Sequence, residues 1–80
     1  MFSESDLQQL KIGLKEVLSV ISSGHAKRVI IAEDCDEHII TQLKQAAQNA
    51  GLSPEYAPSR KALGKACGID VSASCAAVLK

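Results

Sequence analysis

Aromatic residues are almost absent from this chain. Phe2 and Tyr56 are the only two, and there is no tryptophan. That argues against binders that stack bases on an aromatic platform, the working surface of RRM and OB-type domains. Surplus charge is absent as well, because nine Lys and Arg balance nine Asp and Glu. A sequence-independent nucleic-acid binder draws its affinity from phosphate neutralisation and usually carries a basic excess. Any nucleic-acid contact here must therefore use local positive charge. No apolar run approaches the roughly 18 residues of a membrane span. Met1-Phe2-Ser3-Glu4 opens the chain without a basic or apolar leader region. These absences predict a cytoplasmic protein with no membrane partner. The three cysteines, Cys35, Cys67 and Cys75, form no CxxC pair. They read as reduced core residues, not as disulfides or metal ligands.

What is present is enough for one domain, residues 1–80, with an aliphatic core drawn from 46% hydrophobic residues. Ser5 to Leu10 reads as a short helix with Leu7 and Leu10 inward, followed by an extended Lys11-Ile12 and a break at Gly13. Leu14, Val17, Leu18 and Ile21 recur at helical spacing, and Gly24 is a natural terminator. Arg28 to Ala32 is a β-branched run whose two faces both look buried. Asp36 can cap a helix running through Ile39, Ile40, Leu43, Ala46, Ala47 and Ala50. Leu52 to Ala57 reads as a short strand that Pro54 pushes to a sheet edge. Ser59 can cap a helix over Arg60 to Cys67, stopped by Gly68. Ile69 to Ser72 is a loop, and Ala73 to Leu79 a last apolar strand. Strands alternating with helices predict an α/β sheet covered on both faces.

Catalytic readings are weak. Cys35 and His38 are the nearest thiol and imidazole in sequence, but each falls at an ordinary structural or solvent position, and a chain this short has little room for a cleft. Lys61, Gly64, Lys65 and Gly68 superficially suggest a phosphate loop. The Walker spacing fails because Ala66 follows Lys65. The expectation is a protein that is not an enzyme, with no cofactor, no metal and no small-molecule substrate.

A binding reading does better. The cations cluster as Lys11 with Lys15, Lys27 with Arg28, and Arg60 with Lys61 and Lys65, whereas acids concentrate at Glu33, Asp34, Asp36 and Glu37 and near the N-terminus. Gly13 sits where a strand hands over to a helix, whose free N–H groups and dipole attract phosphate. Lys15 can donate to guanine O6 or N7, and Glu16 can accept from exposed guanine amino or imino groups. Solvent-facing residues at a helix start would look the same by spacing alone. Lys61 and Lys65, four apart, share one helix face. Gly64 inside that helix costs about 1 kcal/mol relative to Ala, which suggests close approach by another backbone, protein or nucleic acid. Ile69 and Val71 are apolar residues placed in a loop.

Three segments carry a resemblance. Gly13-Leu-Lys-Glu-Val-Leu18, Ala26-Lys-Arg-Val-Ile-Ile-Ala-Glu-Asp34 with Asp36, and Pro58-Ser-Arg-Lys-Ala-Leu-Gly-Lys-Ala-Cys-Gly-Ile-Asp-Val71 resemble the L7Ae ribosomal protein family in order and spacing. The short length resembles the bacterial L7Ae-like proteins in particular. The resemblance implies a three-layer α/β/α sandwich with a four-stranded mixed sheet and helices on both faces. It also implies binding to kink-turns, RNA helices bent sharply at a three-nucleotide bulge beside sheared G·A pairs.

By that resemblance Gly13, Lys15 and Glu16 face the G·A guanines. Ile69, Asp70, Val71 and Ser72 cover the bulged nucleotides, and Arg60, Lys61 and Lys65 meet phosphates. The protein would act as a monomer on ribosomal or regulatory RNA. Two positions depart from the archaeal pattern, which has Asn where this chain has Lys15 and Lys where it has Ser19. Loss of a lysine at Ser19 implies lower affinity or a different preferred RNA. The rival reading is a small protein-interaction module of the same superfamily that no longer binds RNA.

Overall fold

Helices and strands alternate along the chain as the apolar periods predicted. In this computed structural model, which describes residues 1–80, the order is α1 (Glu4–Gln8), β1 (Leu10–Ile12), α2 (Leu14–Ser22), β2 (Ala26–Ala32), α3 (Glu37–Asn49), β3 (Glu55–Ala57), α4 (Arg60–Ala66) and β4 (Cys75–Leu79). Sequence-local signals act where expected. Asp36 accepts from the His38 N–H at 2.8 Å at the start of α3, and Ser59 Oγ accepts from the Ala62 N–H at 3.0 Å at the start of α4.

The N-terminal helix differs from expectation. It starts at Glu4 because Ser3 and Asp6 form a reciprocal capping box. Leu7, expected inward, is 44% exposed, and Leu10 belongs to β1. Asp6 is the residue that turns inward, because its Oδ2 accepts from Arg28 Nη1 at 2.8 Å. Neighbouring helical residues point about 100° apart, so seating Asp6 on the sheet swings Leu7 to solvent. Both later strands also start late, β3 at Glu55, just beyond Pro54, and β4 at Cys75.

The strand order is β1-β4-β2-β3. Since β4 runs antiparallel to both β1 and β2, and β3 is parallel to β2, three strands point one way and β4 returns between them. Val29 to Ala32 and Cys75 to Val78 are buried without alternation, so both sheet faces are covered. Helices α2 and α3 pack on each other and on β4 and β2, while α4 lies against β3 and β4 and α1 against β4. This is the expected three-layer α/β/α arrangement with a mixed four-stranded sheet. Ile30, Ile31, Leu43, Leu63, Val17, Val29 and Val78 are the largest fully buried side chains.

Arg28 fastens the start of β2 to two other elements. Its Nε and Nη2 donate to Glu55 at 2.7 Å each, Nη1 to Asp6, and Nη2 also to the Met1 carbonyl at 3.0 Å, with its Cζ over the Phe2 ring, 5.6 Å from the centroid. The N–H of Ser3, with Arg28 adding, holds the Asp6 carboxyl below its ordinary value of 3.8, and the Arg28 hydrogen bonds hold Glu55 below 4.5. Both folded values lie below the unfolded ones. Their contribution is therefore complete above those ordinary values and is lost as pH falls through the folded values. Urea midpoints measured from pH 7 to pH 3 should fall at the acid end. Arg28→Met should be less stable at pH 7 and show a shallower acid decline; a parallel curve would contradict this account of the cluster.

Candidate nucleic-acid interface

The topology gathers the candidate residues at one end of the sheet. The C-terminal ends of β1, β2 and β3 meet the N-terminal end of β4 there, so α2, α3 and α4 all begin at that end. Two bonds define the edge: the Gly13 N–H donates to the Cys75 carbonyl at 3.1 Å, and the Ala32 N–H to the Ser74 carbonyl at 2.9 Å. Residues more than sixty apart in sequence thus become neighbours across the β1–β4 junction.

Gly13 enters α2 with φ 101°, a backbone region that favours glycine. It has no side chain to cap the first turn, unlike Asp36 and Ser59 at the other two helix starts. Lys15 and Glu16 are both exposed on that turn.

The second segment is strapped along α4. The Gly68 N–H donates to the Lys65 carbonyl and the Ile69 N–H to the Gly64 carbonyl, each at 3.1 Å, with Gly68 at φ 79°. These two bonds make a Schellman ending. Beyond the loop, the Ala73 N–H returns to the Arg60 carbonyl at 3.0 Å. The loop therefore doubles back over α4, and this explains Gly64: a Cβ there would overlap the Val71 carbonyl oxygen and lie 3.1 Å from Ser72 Cα. The backbone approaching Gly64 is the protein's own.

Lys61, Lys65, Ile69, Asp70, Val71 and Ser72 together line an open hollow of about 540 Å³. Val71 is 69% exposed, a large share for an apolar side chain. Ile69 is half-buried and packs on the core, so only part of it is presented outward. Lys61 and Lys65 are exposed and take part in none of the ion pairs. A hollow of about 600 Å³ on α3 is lined by Glu37, His38, Thr41, Gln42 and Gln45. It holds no Lys, Arg or apolar group, so the smaller hollow is the better candidate for RNA.

Other sequence candidates fall elsewhere. Lys27 and Arg28, grouped with the cations, sit at the opposite end of β2 and are neutralised by Asp6 and Glu55. Burial pushes the Cys35, Cys67 and Cys75 thiols up, which keeps them protonated. His38 is exposed in the first turn of α3. One contact escaped the sequence reading altogether: Asp34 Oδ1 accepts from the Arg60 N–H at 2.7 Å and lies 3.5 Å from its Nε. The partners are 26 residues apart, and no local period joins them.

Known proteins share this architecture. The profile of the Ribosomal protein L7Ae/L30e/S12e/Gadd45 family matches residues 3–80. "RNA-binding protein YbxF" of Geobacillus stearothermophilus is 39% identical over 72 residues, covering 90% of this chain and 88% of that protein. An RNA-binding protein of Caldanaerobacter subterraneus is 36% identical over 66 residues, covering 82% and 80%. The solved structure of the "Giardia lamblia 15.5kD RNA binding protein" superposes with a TM-score of 0.85 at 35% identity, over 95% of this chain. This chain spans 64% of the length of that protein. A Bacillus halodurans protein of unknown function has the same fold, with a TM-score of 0.85 at 21% identity, 95% of this chain and 76% of that one. With near end-to-end matches in both sequence and fold, the chain belongs to the ribosomal protein L7Ae/L30e/S12e/Gadd45 family.

Proposed function

We propose that the chain binds structured RNA, specifically kink-turns with sheared G·A pairs, and acts as an architectural protein on ribosomal or regulatory RNA. The observation that carries this reading is the junction of the α2 start with the α4–β4 loop, joined by the Gly13 to Cys75 bond at 3.1 Å. One segment offers an uncapped helix start beside Lys15 and Glu16; the other offers an exposed apolar tip flanked by unpaired lysines. The relatives named above as RNA-binding proteins support the same reading.

In this reading Gly13 lets the helix start approach the G·A pairs without a side chain in the way. Lys15 donates to a guanine acceptor edge, and Glu16 accepts from guanine N–H groups. Val71, with Ile69, Asp70 and Ser72, covers the bulged nucleotides. Lys61 and Lys65 meet phosphates, and Arg60 joins them. Ser19, exposed on α2, supplies no cation where the archaeal pattern has one. A free kink-turn exchanges between open and bent forms, and a protein complementary to the bent form shifts that population. The protein acts as a cytoplasmic monomer. No catalytic step, cofactor or small-molecule substrate is needed.

Glu16→Ala should weaken a kink-turn complex by about 1–3 kcal/mol, the scale of a good base contact. Titration of a labelled duplex measures it, and a loss below a few tenths would remove Glu16 from the guanine-reading role. Replacing Lys61 and Lys65 together with Ala should flatten the dependence of log affinity on log salt by about 1–2 units, since two phosphate contacts fewer release counterions. An unchanged slope would take them out of the interface.

A further inference from the structure

We propose that Asp34 is a positioning residue for RNA binding, holding Arg60 so that the Nη edge of its guanidinium is free to grip a phosphate. The inference rests on the RNA-binding reading above. Asp34 lies in the loop between β2 and α3, and its Oδ1 reaches Arg60 at two points, the backbone N–H at 2.7 Å and Nε at 3.5 Å. The first residue of α4 is thereby tied, main chain and side chain, to the loop of the neighbouring strand.

The ion pair at Nε, 3.5 Å long, draws the side chain toward the β2–α3 loop. Nη1 and Nη2 make no hydrogen bond within the protein, and the Arg60 side chain is 55% exposed. That open fork is the donor pair that meets a phosphate with two parallel bonds. Arg28 gives the contrast within one molecule: Nε, Nη1 and Nη2 are all engaged by Glu55, Asp6 and Met1, as befits an arginine used only for structure. Arg60 keeps its Nη donors unspent, and it precedes Lys61, which lines the hollow that also holds Val71, although Arg60 itself is not among the lining residues.

Simple electrostatics gives the opposite sign. A carboxylate beside an RNA site repels phosphate, so removing it should tighten binding and steepen the salt dependence. Positioning requires that removal weaken binding, although a negative charge has gone.

The test titrates the full chain against a kink-turn duplex over a salt series, with circular dichroism reporting the fold. Wild type is compared with Asp34→Ala, Asp34→Asn, Arg60→Ala and the double Ala variant. Asp34→Ala should bind roughly three- to tenfold more weakly and lower the salt slope by about 0.7–0.9, one phosphate contact. Asp34→Asn should recover part of the affinity, because its Oδ1 still accepts from the Arg60 N–H. In the Arg60→Ala background, Asp34→Ala should cause no further loss. Equal or tighter binding by Asp34→Ala, or the same loss with and without Arg60, would overturn the inference. Should Asp34→Ala unfold, Asp34→Asn decides: weaker binding than wild type that disappears in the Arg60→Ala background supports positioning, and equal or tighter binding, or the same loss without Arg60, overturns it. Failure of the wild-type chain to bind the kink-turn at all would instead sink the functional reading, and this inference with it.

Discussion

Gly64→Ala is expected to destabilise the domain by about 2 kcal/mol or more and to abolish tight RNA binding. On helix propensity alone the change should help, because Ala is better than Gly in a helix interior by about 1 kcal/mol. The sign is set by what the new methyl meets. It would overlap the Val71 carbonyl oxygen and press on Ser72 Cα, at 3.1 Å, and backbone atoms cannot rotate away as a side-chain tip can. The loop has little slack, being tied at one end to the Gly64 and Lys65 carbonyls and at the other to Arg60. It must lift off α4, which displaces Val71 and reshapes the hollow. Thermal or urea unfolding measures the first effect and titration with RNA the second. A gain in stability with unchanged binding would show that the loop does not rest on the helix.

Val71→Asp is the complementary experiment, with a large loss of binding at little cost in stability. Val71 is 69% exposed, so its replacement should change unfolding free energy by no more than about 0.5 kcal/mol. In the proposed complex the same position would lie under bulged nucleotides, where a carboxylate would be desolvated and would face phosphates. An unpaired charge of that kind should cost about 2 kcal/mol or more of binding free energy. Val71→Ile keeps the apolar contact and should bind nearly as wild type. Global unfolding of Val71→Asp would place the residue in the core. Normal binding by a folded Val71→Asp would place it outside the interface.

The two variants act through one arrangement, and its parts were unequally legible. The helices α2, α3 and α4 and their caps follow from local chemistry: a 3.6-residue apolar period, an Asp or Ser with a free oxygen, and a glycine with positive φ at Gly24 and Gly68. The oddity of Gly64 was legible too, because a glycine inside a helix costs stability and needs a reason. Which backbone approached it was not, since that depends on how far the chain doubles back after Gly68. Strand order was hidden for a similar reason: placing β4 between β1 and β2 is a long-range choice that leaves no local period.

Charge was read least well. The even balance of acids and bases said nothing about pairing, and the four ion pairs span 21, 22, 26 and 27 residues. Asp6 and Glu55 withdraw Arg28 from any surface role, whereas Lys61 and Lys65 are left unpaired at the opposite end of the sheet. Leu7 was misjudged for the same reason, its place against the sheet being taken by an aspartate that answers an arginine far along the chain. Ile69 lines the hollow beside Val71 and also packs on the core, so Val71 is the more exposed of the two apolar side chains there.

The most direct measurement compares affinity for a kink-turn duplex with affinity for the same duplex after its G·A pairs are changed to Watson–Crick pairs. On the proposed reading, in which the helix start at Gly13 and the loop at Val71 act together on a bent RNA, the first duplex should bind about tenfold more tightly or better. Equal affinity for the two, or no binding to either, would contradict the account.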